Sequence, residues 1–509
     1  MHEWTIAALQ AAYRSGETDP LSVCEAYLAR IEEIDRSGPA INSVIEVNPD
    51  ALAIARNQTE ALRQDPDAFA ASGLFHGIPV LLKDNIDTAD AMKTTAGSLA
   101  LVDAPMPEDA FLVRLLRGAG AIILGKTNLS EWANFRSSHS NSGWSSRGGQ
   151  TRNPYVLDRT PCGSSSGSGA AIAANLALAA FGTETDGSVT CPASQNSLVG
   201  IKPSLGTISR TGIIPIAASQ DTAGPMARTV TDAALLLEAT AVPDPEDPAC
   251  ASPAIHKVRD TQESPARRYL QHLDPGFIRG RRIGIPRLRD TYRGPVQAAF
   301  EAACASLESA GAVLVPVDLP DLSKAGEHEY TVLLYEFKQG LSDYFARRGG
   351  PITSISDVIA FNENHADTVM PRFGQEHMVK AAACGSLDDE EYRTALRESR
   401  RIAGAEGIDA LLEQNELDAI AAPSNGLAWL IDPINGDYPT GGGFSRGPAI
   451  SGAPHITVPM GYHRELPLGL SFAGAFGDDA RLIGIAYGFE HAHPVRRPPR
   501  FVPSLGTDD

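Results

Sequence analysis

Basic residues are in short supply in this chain of 509 residues. Lys and Arg number 43 against 62 Asp and Glu, which leaves a formal charge of −19. A surface that grips nucleic acid by its phosphates needs a basic excess, so DNA and RNA are not expected partners. Lysine is scarcer still, with 8 Lys beside 35 Arg, so any lysine in an apolar setting stands out. Cysteine is sparse as well. Cys24, Cys162, Cys191, Cys250, Cys304 and Cys384 are widely scattered and form no CxxC pair. That pattern predicts reduced thiols and a cytoplasmic location. No stretch of 18 charge-free apolar residues occurs, so no membrane span is expected. The opening MHEWTIAALQAAYRSGETDP has no basic region leading into an apolar one, so it does not read as a signal peptide. Internal repeats are absent too. A hydrophobic content of 43% with 21% charged residues is that of a globular protein rather than a disordered one.

What is present is an alternation of amphipathic helices and short apolar strands. Val23, Tyr27, Leu28, Ile31 and Ile34 recur at spacings of three and four, predicting a helix over 20–35 that starts at Asp19-Pro20. A second helix is expected over 50–65 and a third over 109–118. Gly77–Leu82 reads as a buried strand that delivers Lys83, Asp84 and Asn85 at its end, and Ala121–Leu124 as another. Residues 134–168 are irregular, Ala170–Ala180 reads as a helix, and Leu198–Lys202 as a strand. Further on, Arg282–Ile285, Ala312–Val317, Leu417–Ala422 and His455–Pro459 read as strands. Val296–Ala310 is a helix between two of them, and 350–415 is mostly helical. Residues 241–267 are rich in proline and acid and predict a surface loop, and 495–509 a tail. The elements interleave without a linker, which predicts one α/β domain over 1–509.

Three segments can carry chemistry. Gly182-Thr-Glu-Thr-Asp-Gly187-Ser188 has the frame of a phosphate loop but lacks its lysine. Gly163-Ser-Ser-Ser-Gly167 fits a nucleophile elbow centred on Ser165, yet Leu157–Cys162, with its proline and charges, is a poor strand to precede one. A flexible connector or a helix N-terminus facing a ligand is the plainer reading. Lys83 follows an apolar strand. A serine hydroxyl attacks only when a base takes its proton. A lysine is that base only when neutral, and burial favours the neutral amine. The competing reading of Lys83 is an ion pair with a carboxylate such as Asp84. Cys162 and Cys191 flank the serine segments and read as packing residues. His491-Ala-His493 has no HExxH or CxxC support as a metal site, and Gly118-Ala-Gly120 follows a helix rather than a strand. No metal or other cofactor is therefore expected.

Taken together, HGIPVLLKDN, GKTN at 125–128, CGSSSGSG at 162–169 and GTETDGSVTCPAS at 182–194 resemble the amidase signature family, with weaker similarity in APSN (422–425) and at 451–472. The resemblance implies an α/β/α fold around a mixed, twisted sheet of roughly eleven strands. It implies a Ser-cisSer-Lys triad of Ser188 as nucleophile, Ser164 as bridge and Lys83 as base. It implies an oxyanion hole from the N–H groups of Thr185, Asp186, Gly187 and Ser188. Ala133, Asn134 and Ser165 are candidate substrate contacts, and Gly441–Arg446 a candidate pocket wall. Glu184 stands where many members have Asp, and Thr190 where many have Arg. These departures, with Gln220–Met226, resemble the peptide amidase branch, which releases ammonia from C-terminal peptide amides. The expected partner is thus a small-molecule or peptide amide, handled by a monomer or homodimer. The alternatives are an amidotransferase subunit of the same family and a non-catalytic scaffold.

Overall fold

A computed structural model describes residues 2–71, 73–105, 108–255, 268–288, 292 and 294–506. Eleven strands form one mixed sheet: β1 (Val44–Val47), β2 (Pro79–Lys83), β3 (Ile122–Thr127), β6 (Ala179–Glu184), β7 (Val199–Lys202), β8 (Thr222–Ala227), β9 (Arg282–Pro286), β10 (Val313–Val317), β11 (Ala419–Pro423), β12 (His455–His463) and β13 (Leu466–Ala473). The pair β4 (Trp144–Ser145) and β5 (Gly149–Gln150) stands apart. The order across the large sheet is β1-β3-β2-β6-β8-β7-β12-β13-β11-β9-β10. β3, β2 and β6 run parallel, as do β11, β9 and β10, and the strands between are antiparallel. Helices cover both faces, as the sequence predicts. β2 is buried at every position, which explains its unbroken apolar run: a strand covered on both faces has no side left for polar residues.

The first long helix spans Pro20–Arg30 and continues as a wider turn over Ile31–Arg36. The Asp19 carboxylate accepts the Ser22 N–H (2.9 Å) and Pro20 occupies the first turn. Val23, Tyr27, Ile31 and Ile34 lie in the core. The expected helix over Ala170–Ala180 is corrected. It spans Ser166–Ala173, and Ala179–Ala180 already belong to β6. This segment is buried all round, so no polar stripe marks its period, and the left-handed Asn175 (φ +58°) breaks it.

Both expected loose segments are tied down where described. In the 241–267 segment, Asp244 accepts from Ser209 Oγ (2.5 Å), and Asp247 accepts from Arg210 N (2.7 Å) and Nε (3.0 Å). Residues 256–267 lie outside the described residues. The C-terminal stretch is laced across the molecule. Arg496 forks onto Glu3 (2.7 and 2.8 Å), and Phe501 N donates to Pro154 O (3.0 Å).

Candidate active site

β2 and β6 are neighbours inside the sheet, third and fourth from the β1 edge, with Leu82 opposite Phe181. Their C-terminal ends therefore bring Lys83 beside Thr183 and Glu184. Lys83 is fully buried. Its Nζ lies 2.8 Å from Ser164 Oγ, 2.8 Å from Thr183 Oγ1 and 3.1 Å from Thr183 O. Burial pushes the ammonium down to about 7, opposed by the charges of Asp221 and Glu184. Among the described residues no carboxylate forms an ion pair with Nζ, and the pair with Asp84 is not formed. Asp84 turns instead to Arg147 (3.2 Å) and the Gly97 N–H (3.1 Å).

The Gly163–Ser164 peptide is cis, as the resemblance implies. Ser165, expected as a substrate contact, is fully buried. Its hydroxyl is buried, accepting from Thr183 N (3.2 Å) and donating to Thr183 O (3.1 Å), while its own N–H donates to Ser188 O (3.1 Å). Ser165 thus pins the two serine segments together.

The turn carrying Ser188 is fastened by Glu184. One carboxylate oxygen accepts from Val189 N (2.7 Å), Thr190 N (2.9 Å) and Thr190 Oγ1 (3.2 Å). These are the free donors at the start of the helix Thr190–Gln195. A second set of ties holds Thr185. Its hydroxyl donates to Asp221 Oδ1 (2.5 Å), and its carbonyl accepts from Gln220 Nε2 (3.2 Å). Burial pushes Asp221 up to about 6. Gly187 has φ +81°, and a Cβ there would lie 2.9 Å from Ser445 Oγ, so only glycine fits. Among the described residues the N–H groups of Thr185, Asp186, Gly187 and Ser188 have no acceptor within the protein. Ser188 is 8% exposed. Its hydroxyl makes no direct hydrogen bond to Ser164 in this structure.

Two cavities flank this turn. One, of about 260 Å³, is bordered by Ala133, Thr183, Thr185, Asp221 and the apolar stretch Ile213–Ile216. The other, of about 240 Å³, is bordered by Asn134, Gly163, Asp186, Gly187, Trp429 and Ser445. Trp132, Ala133 and Asn134 are all left-handed (φ +52°, +54°, +72°), and this turn sets Ala133 on one cavity and Asn134 on the other. Gly441, Gly442 and Ser445 of the glycine-rich stretch border the second cavity too.

One expectation is overturned here. Cys162 and Cys191 are not free packing thiols but a disulfide, with Cα atoms 5.9 Å apart. The segment before Ser164 and the helix after Ser188 converge, which no local spacing reveals. Cys24, Cys250, Cys304 and Cys384 take no part in a disulfide. The two tail histidines do not join: His493 uses both ring nitrogens on Ser306 Oγ and Met460 O (2.9 Å each), while His491 turns to Tyr487 O (2.9 Å). Sequence reading missed Thr183, Gln220 and Asp221 as supports. The signal for Gln220 and Asp221 was the QDTAGPM string, and that for Thr183 the GTETDGS string.

A desolvated amine touching one serine, with a second serine on a turn whose N–H groups have no acceptor among the described residues, is the equipment that acyl-transfer chemistry requires. Comparison with known proteins narrows the class. The Amidase family model matches residues 22–483. The chain is 50% identical to the peptide amidase of Stenotrophomonas maltophilia, covering 98% of this chain and 99% of that one with a TM-score of 0.91. It is 38% identical over 99% of its length to a probable amidase of Arabidopsis thaliana, covering 92% of that protein. It is 32% identical over 96% of its length to a glutamyl-tRNA(Gln) amidotransferase subunit of Halorhodospira halophila, covering 97% of it. The chain belongs to the amidase family and is a hydrolase of amide C–N bonds.

Proposed function

We propose that the chain removes the amide nitrogen from C-terminal peptide amides, or from close relatives of them, through an acyl-enzyme on Ser188. The observation that carries this reading is the 2.8 Å contact between Ser164 Oγ and a Lys83 amine that burial holds near 7. Neutral Lys83 draws a proton through Ser164 from Ser188, and Ser188 Oγ attacks the amide carbonyl. The N–H groups of Thr185 to Ser188 receive the oxyanion, and one such donor is worth about 100- to 1000-fold in rate. Ammonia leaves with the proton returned through Ser164. Water then repeats the relay on the acyl-enzyme. The final link, from Ser188 to Ser164, closes when substrate settles, since catalytic hydrogen bonds often tighten only in the complex.

The choice of peptide amides is supported by the half-identical peptide amidase and by cavities on both sides of the Ser188 turn. One chain carries Lys83, Ser164 and Ser188, so a monomer is sufficient and a homodimer is not required. Among the described residues no helix is long and apolar enough to cross a membrane. A cytoplasmic location rests on the sequence reading alone, and the Cys162–Cys191 bond, typical of oxidising compartments, weighs against it.

The test is ammonia release by the purified chain from peptide amides, simple carboxamides and glutamine. Turnover of peptide amides without a partner supports the proposal. Activity on glutamine alone would support the amidotransferase reading. Absence of both turnover and covalent labelling by a fluorophosphonate would leave a scaffold.

A further inference from the structure

The disulfide spans the reaction centre. Cys162 lies two residues before Ser164, Cys191 three residues after Ser188, and both border the cavity beside Gly187. Each segment is also fixed locally. Cys162 O accepts from Ser166 Oγ (2.6 Å), and Cys191 N donates to Gly187 O (2.8 Å). Movement of either sulfur is thereby passed to the neighbouring serine. Besides the S–S bond, the segments are joined by Ser165 N to Ser188 O (3.1 Å) and by Asn196 Nδ2, which donates to Pro161 O (2.9 Å) and Pro192 O (2.7 Å). Those ties keep the two segments associated without the bond, but they are non-covalent and able to give.

We propose that Cys162–Cys191 is a positioning clamp for the reaction, holding Ser164 and Ser188 in register, and that its reduction lowers turnover without unfolding the chain. The inference rests on the roles proposed for those two serines. Reduction is by a dithiol. Its thiolate attacks one sulfur and forms a mixed disulfide, and its second thiol displaces it. Two electrons and two protons pass to the protein, and the dithiol becomes a cyclic disulfide. The cavity gives the reagent its approach, with Cys162 and Cys191 exposed by 5% and 8%.

The test uses the full chain with an N-acylated dipeptide amide, before and after dithiothreitol. Alkylation followed by peptide mass analysis verifies reduction at 162 and 191. A misplacement near 1 Å costs up to about 100-fold in rate. The expected result is therefore a fall in kcat of about tenfold or more with KM changed less than about twofold and the circular dichroism spectrum kept. Reoxidation by diamide should restore kcat. The double variant Cys162→Ser/Cys191→Ser should match the reduced enzyme and ignore dithiothreitol. An unchanged kcat in verified reduced enzyme overturns the clamp, and so does a loss that accompanies unfolding. Fluorophosphonate labelling separates the two levels. Failure to label Ser188 in oxidised enzyme overturns the serine assignment itself, while equal labelling rates in both redox states overturn only the clamp.

Discussion

The sharpest consequence of the site concerns the proton on Lys83. A free lysine, with a pKa near 10.4, is neutral about 0.04% of the time at pH 7. Burial brings Lys83 to about 7, so about half the molecules carry the neutral base. The gain in competent enzyme is roughly a thousandfold before any geometric effect is counted. Since the neutral form acts, kcat/KM should rise with pH to a plateau above pH 7 and fall about tenfold for each pH unit well below it. The charges facing the amine are Asp221 and Glu184, and both favour the ammonium. Asp221→Asn removes one of them. The Lys83 pKa should then drop further, and the acid limb should move to lower pH. The assay is ammonia release from a peptide amide between pH 5 and 9, with fluorophosphonate labelling rates as a second measure. Because Asp221 is itself pushed up to about 6, the limb reports the cluster, and its displacement in the variant is the diagnostic quantity. A limb that stays in place or moves to higher pH in Asp221→Asn refutes the reasoning. So does a Lys83→Met enzyme that keeps full activity at pH 7.

Other outcomes follow from the same contacts. Ser188→Ala should abolish turnover and labelling together, measured on one preparation whose melting temperature is unchanged. Glu184→Ala strips the acceptor from Val189 N and Thr190 N. It should reduce kcat by about 10- to 100-fold, less than the roughly 100- to 1000-fold for outright loss of one oxyanion donor because the donors are loosened and not removed, while Glu184→Gln, which keeps an acceptor, should recover much of it. Gly187→Ala places a Cβ against Ser445 in a left-handed backbone and should lower kcat more than Gly118→Ala, where nothing lies within 4 Å. Glu131→Ala should cost about 3–5 kcal/mol in denaturant unfolding. Arg136, fully buried 2.9 Å from Glu131, would lose its counter-charge; stability within 1 kcal/mol of the parent, by the same measurement, would contradict this.

Much of the local structure is legible in the residues themselves. Asp19-Pro20 followed by apolar residues at helical spacing dictates the helix at 20, because capping and one-sided burial are local matters. The apolar run before Lys83 dictates a strand buried on both faces, and with it a buried amine. The motif strings place the three polar groups of the proposed relay in the chain, though not in space. Lys83 and Ser164 are 81 residues apart, and only the parallel pairing of β2 with β6 and the helix between them brings them into contact. β8 went unread because Thr222–Ala227 contains Gly224 and Pro225, residues that argue against a central strand. Packing nevertheless seats Pro225 opposite Phe181. The disulfide, between cysteines 29 residues apart, and the Asp221 support, 36 residues from Thr185, likewise come from convergence of separate segments, whereas the Glu184 clasp reaches only five and six residues along the chain. Sequence patterns report which way a side chain faces along its own element. Which groups meet is set by how the elements close on one core, and that is a long-range outcome no local period encodes.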